Sequence, residues 1–83
     1  MNVLYFAWVR QKVGRSDEMI EHGPALRTVG DLAELLQRRG GGYGEAFADM
    51  ARLRVAVNQS HAGLDTVLAA GDEVAFFPPV TGG

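Results

Sequence analysis

Few side chains in this sequence can do chemistry, and their scarcity directs attention to its last residues. Cysteine is absent, which removes disulfides, thiolate metal sites, redox motifs and any persulfide held on a side chain. The two histidines, His22 and His61, stand far apart with no carboxylate or thiolate spacing around them, so local sequence assembles neither a metal set nor a nucleophile with its base. His22 is expected in an exposed loop. The run Gly40-Gly41-Gly42-Tyr43-Gly44 lacks the Lys-Ser/Thr pair and the opening strand of a phosphate loop, and reads as a flexible connector. What remains is the carboxylate of Gly83, preceded by a residue, Gly82, that also has no side chain to obstruct an approaching enzyme. With no cysteine in the chain, that carboxylate is the most accessible chemical group it offers.

The tail must be positioned by what precedes it. Gly71-Asp72 is a turn pair, and residues 74–77 (Val-Ala-Phe-Phe) are rich in strand formers. Pro78-Pro79 then ends the ladder, because successive prolines supply no N–H and hold φ near the polyproline value. Val80, Thr81, Gly82 and Gly83 follow. Two readings compete: a frayed terminus, or an arm built of an anchored strand, a stiff spacer and a bare tip. From Pro78 to Gly83 an extended chain reaches roughly 20 Å, enough to place the carboxylate inside another protein. The stiff spacer lowers the entropy lost when such an arm is ordered on insertion. The expected division is a folded domain over residues 1–77 and a flexible tail over 78–83.

The remainder of the chain bounds the other classes of function. Its 83 residues suit one small domain with one core and little room for a deep private active site. A net charge of -2, with no basic stripe interleaved with aromatic residues, argues against nucleic acid as a partner. No apolar run is long enough to span a membrane, and the N-terminus lacks a signal pattern, so a soluble cytoplasmic protein is expected. No motif pairs a nucleophile with a base, and the isolated chain is expected to have no turnover of its own.

Periodicity supplies the framework. Residues 2–10 read as a first strand with Val3, Tyr5, Ala7 and Val9 on one face and Leu4, Phe6 and Trp8 on the other. Both faces are apolar, which implies either a central strand or cover from a partner. A turn over 11–15 leads to a weak edge strand over 16–21, ended by His22-Gly23-Pro24. Thr28 is a helix N-cap with Asp31 three residues on; Val29, Leu32, Leu35 and Leu36 form the apolar stripe, and Gly40 stops the helix. A short helix over 45–51 directs Phe47 and Met50 inward. Residues 53–58 alternate as a strand, 58–62 read as a turn, and Leu64, Val67 and Leu68 serve as apolar plugs. Such an order, β-β-α-β-β, lets a helix-containing crossover bring the first and last strands together in parallel. Pattern alone leaves the strand order open.

The segment from Gly71 to Gly83 resembles the C-terminus of the molybdopterin synthase small subunit family, which are ubiquitin-like sulfur carriers. Val3-Leu4-Tyr5-Phe6-Ala7 with Val9-Arg10 is similar to that family's first strand, and Ala56-Val57-Asn58-Gln59 to its central strand and turn. Pattern and resemblance together imply an α+β, ubiquitin-like β-grasp fold with a mixed sheet and one main helix across a face. The resemblance further implies a carrier whose Gly83 is adenylated and converted to a thiocarboxylate that donates sulfur to cyclic pyranopterin monophosphate in molybdenum cofactor biosynthesis. Gly82, Thr81, Val80, Pro79 and Pro78 would thread a partner's pocket. Alternation sends one of Phe76 and Phe77 inward and the other toward the partner. The partners implied are the large synthase subunit, in a heterotetramer, and an E1-like activating enzyme that uses ATP; no bound cofactor or metal is implied. Alternatives are a thiamine-type sulfur carrier, a ubiquitin-like modifier that joins Gly83 to a lysine, and a β-grasp interaction module with an inert tail.

Overall fold

The computed structural model describes residues 1–79. The elements in order are β1 (Asn2–Tyr5), α1 (Ala7–Val13), β2 (Asp17–Met19), α2 (Val29–Arg38), α3 (Gly41–Ala46), a 3-10 turn (Met50–Arg52), β3 (Arg54–Val57), β4 (Ser60–Ala62) and β5 (Glu73–Phe77). One five-stranded sheet runs β2-β1-β5-β3-β4. β5 lies at its centre, parallel to β1 with Tyr5 opposite Phe76, and antiparallel to β3 with Val55 opposite Phe76. This is the β-grasp arrangement, with the final strand beside the first as the sequence implied.

The inner sheet face carries Val3, Tyr5, Val55, Val74 and Phe76, all buried. α2 lies against it through Val29, Leu32, Ala33 and Leu36. Thr28 and Asp31 form a capping box: the Thr28 hydroxyl accepts from the Asp31 N–H, and the Asp31 carboxylate accepts from the Thr28 N–H. Two orphan donors of the first turn are thereby satisfied. Leu35, expected in the stripe, is 39% exposed instead.

Four expectations fail for physical reasons. The first strand stops at Tyr5, because Ala7 takes φ 53 and turns the chain into α1, which Gly14 ends at φ 89 with its N–H on the Arg10 carbonyl. The alternation past Tyr5 therefore does not mark two sheet faces. The glycine run is not a connector but the start of α3, pressed on α1 so closely that a Cβ at Gly42 would stand 1.7 Å from the Lys12 carbonyl oxygen. Residues 58–62 are not only a turn: Asn58 and Gln59, at φ 51 and 69, make the two-residue reversal that lets β4 pair with β3, a geometry whose twist suits a hairpin. Leu64 and Val67 are 48% and 74% exposed. Backbone bonds hold their segment, since the Gly30 N–H donates to the Leu64 carbonyl and the Val29 N–H to the Thr66 carbonyl.

The edge strand β2 is fastened by Glu18, whose side chain is only 8% exposed. Its carboxylate accepts from Tyr5 at 2.8 Å, Tyr43 at 2.5 Å and Arg39 at 2.8 Å, joining β2 to β1, α3 and the end of α2. Burial pushes the Glu18 carboxyl pKa up, but the hydrogen bonds from Arg39, Tyr43 and Tyr5 outweigh it and hold the group below its usual value. A lowered folded pKa stabilises the native state above the ordinary carboxylate range, and that contribution disappears as pH falls through the folded value. Glu18→Gln is expected to lose about 1.5–3 kcal/mol at neutral pH and to show a flatter stability curve below about pH 4. Denaturant titrations across pH test this; parallel curves for variant and parent would count against it.

Candidate functional site

The tail leaves from the strand with neighbours on both sides. Its entry is fixed at Asn58 and Asp72: the Asn58 N–H donates to the Glu73 carbonyl at 2.8 Å, the Asn58 amide oxygen accepts from the Glu73 N–H, and the Asp72 carboxylate accepts from Asn58 and from the Ala69 N–H. The Asn58 amide, with the Ala69 N–H, holds the Asp72 carboxyl below its usual pKa. At the exit, the Phe6 N–H donates to the Phe76 carbonyl at 3.1 Å.

The two phenylalanines divide. Phe76 is fully buried and meets Phe47 edge to face, with ring centroids 4.9 Å apart. Phe77 points to the opposite face, where it is half-buried with its ring 5.9 Å from that of His61. Phe77 is thus the accessible member of the pair. Around it the outer face presents Leu4, Ala75 and Ala56 in register with His61, together with Arg54 opposite Phe77. Leu4, Ala56, Ala75 and Phe77 are each partly buried there, and Arg54 and His61 are exposed. Of the second apolar face read from the alternation, only Leu4 lies on the sheet, since Phe6 and Trp8 fall beyond the end of β1.

Pro78 and Pro79 follow Phe77, both half-buried, and line a groove with Trp8, Ala51 and Arg52. Val80, Thr81, Gly82 and Gly83 lie outside the described residues. Of the two histidines, His61 sits on β4 and is exposed, whereas His22 is not an exposed loop residue: it is half-buried, and its Nε2 is buried without a hydrogen-bond partner. Among the described residues no three histidine, aspartate or glutamate side chains are grouped to hold a metal ion, and no helix is long and apolar enough to cross a membrane. Sequence reasoning missed His61, Trp8 and Arg52 as members of this end of the molecule. The positive φ of Ala7 that places Trp8 there has no signature in the sequence.

The ThiS family matches residues 3–83. The chain is 39% identical to the molybdopterin synthase sulfur carrier subunit of Haemophilus influenzae, covering 100% of this chain and 99% of the relative. It is 41% identical to the proteins of the same name from Mycobacterium tuberculosis, covering 100% and 96%, and from Escherichia coli, covering 100% and 99%. Among solved structures, SAMP1 of Haloferax volcanii superposes with TM-score 0.74 at 29% identity, covering 100% of this chain and 98% of that one. A Pyrococcus furiosus chain, described provisionally as subunit 1 of a molybdopterin converting factor, gives TM-score 0.76 at 35% identity, covering 95% of each.

Proposed function

The chain belongs to the ThiS family, and from that premise we propose that it is the sulfur-carrier subunit of a molybdopterin synthase. The observation that carries this reading is the placement of β5: the central strand of the sheet delivers Phe77, Pro78 and Pro79 outward, so the residues beyond start from the most firmly held part of the fold. Identity near 40% over the full length to carriers of that name supports it.

In this reading Gly83 is the working group. Its carboxylate attacks the α-phosphorus of ATP on an E1-like activating enzyme, and pyrophosphate leaves. A persulfide then attacks the acyl carbon and AMP leaves, forming an acyl disulfide. A second thiol reduces that S–S bond, leaving a C-terminal thiocarboxylate and a new disulfide on the donor. The large synthase subunit receives the loaded tail, and two carriers in succession supply both sulfurs of the dithiolene made from cyclic pyranopterin monophosphate. Residues 80–83 thread the pocket, with Gly82 small enough to pass. The pocket needs Lys or Arg, because an inserted carboxylate or thiocarboxylate must be paired once it is desolvated.

The likeness to SAMP1, a structure also described as a small archaeal modifier protein, favours a second reading in which Gly83 is joined to a lysine. Incubation with ATP, a persulfide donor and the activating enzyme, followed by intact mass measurement, separates the two. A carrier gains the mass difference between sulfur and oxygen, a modifier appears as a conjugate, and an unchanged mass removes both.

A further inference from the structure

The end of the molecule from which the tail departs carries features that threading does not use. One wall of the groove there is the indole of Trp8, half-buried against the core, with the Arg52 guanidinium 5.1 Å from its ring centroid. Pro78 and Pro79 form another wall, and Ala51 completes the lining. The rim is cationic. Arg52 is exposed, and neither it nor Arg54 has a carboxylate within ion-pair distance among the described residues. Arg54, bonded to the Ala51 and Leu53 carbonyls at 3.3 and 2.8 Å, lines a separate cleft with Met50, Leu53 and Ala62, so the cation of this groove is Arg52. Asp49, the nearest acid in sequence, is committed to the Ala51 N–H. An uncompensated cation thus stands at the groove of a chain whose net charge is -2.

Aromatic and proline walls accept an apolar side chain, and a guanidinium held over an indole is oriented to meet a carboxylate. Any protein that takes the tail beyond Pro79 meets this groove in the same encounter, since the prolines belong to both. The relatives are named as subunits, so the lasting contact to be explained is with the rest of a synthase. We propose that the groove between Trp8 and Pro78-Pro79 receives a segment of the large synthase subunit in which an apolar side chain stands beside a carboxylate that pairs with Arg52. This rests on the carrier reading and deepens it: the groove is a second point of attachment that fixes the direction in which the tail enters.

The test uses the full chain and the purified large subunit. Arg52→Glu is expected to weaken binding by about tenfold or more and to flatten its salt dependence, with Arg52→Lys retaining most of the affinity. Trp8→Ala is expected to cost about thirtyfold as the apolar anchor of the groove. Trp8 packs on the core, so its variant is scored only if thermal unfolding shows it folded; Arg52, being exposed, keeps the test decisive. Binding of Arg52→Glu indistinguishable from the parent at low and high salt overturns the groove. So does a defect confined to loading by the activating enzyme. A chain lacking Gly82 and Gly83 separates the two levels: lost sulfur transfer by this chain, with normal binding of Arg52→Glu, overturns the groove and leaves the carrier, whereas unimpaired transfer removes both.

Discussion

A chain extended by one residue beyond Gly83 is expected to fold as the parent does and to accept no sulfur. The two halves of that expectation rest on different parts of the molecule. Buried side chains of the described core end at Phe76, and the last ladder residue is Phe77, so the described fold is built from residues that precede the tail. The chemistry is concentrated at one atom, because no cysteine offers a second place for sulfur. An added residue moves the carboxylate by about 3.3 Å and replaces the bare glycine end with a further peptide. Intact mass after incubation with ATP, the activating enzyme and a sulfur donor reads the result, and the same spectrum shows whether the added residue has been trimmed. Loading of an untrimmed extended chain at the parent's rate would falsify the carrier reading.

Phe76→Ala and Phe77→Ala, adjacent in sequence, are expected to fail in opposite ways. Phe76 is fully buried, with Phe47 on its face and Tyr5 and Val55 opposite it in the neighbouring strands. Emptying such a site costs about 3–5 kcal/mol, a large share of the roughly 5–15 kcal/mol available to a domain. Phe77 lies beside His61 on the outer face, so its truncation removes little from the core. If the face docks the large subunit, the loss appears as about 2 kcal/mol of affinity with a nearly unchanged melting temperature. Calorimetric binding and thermal unfolding of both variants check the division. Stability lost in both, with affinity unchanged in both, would place the contact elsewhere and leave the tail alone to hold the partner.

The parts legible in the sequence are those whose signal is local. Thr28 and Asp31 announce the start of α2 because a capping box is made by residues three apart. β3 and β5 show their alternation, and Pro78-Pro79 ends the last strand by covalent necessity. The tail's composition pointed to the terminal carboxylate without any structure. The parts missed depend on packing. Residues 7–13 carry apolar side chains at spacings that suit a strand or a helix, and Ala7 decides the matter with a backbone angle that alanine rarely adopts. Gly41–Ala46 would be a poor helix in isolation. It forms because α1 and α3 approach until Gly42 lies against the Lys12 carbonyl, a position closed to any side chain. The hairpin at Asn58-Gln59 uses two positive φ values without a glycine, so its usual marker is missing. The division of Phe76 from Phe77 follows from register with β1 and β3, which alternation alone could not supply.

The central place of β5 also bears on incomplete copies of the protein. β1 with β2, and β3 with β4, form two ribbons that share no ladder; β5 is what joins them. Two-stranded ribbons are marginal on their own, so a copy cut short before Glu73 has no sheet to fold into. Its exposed strand edges mark it for aggregation or proteolysis. A copy that has lost β5 together with the tail therefore cannot persist as a well-folded decoy that occupies the partner's surface while delivering nothing. Competence to dock and possession of the strand that bears the reactive end are made inseparable by the order of strands.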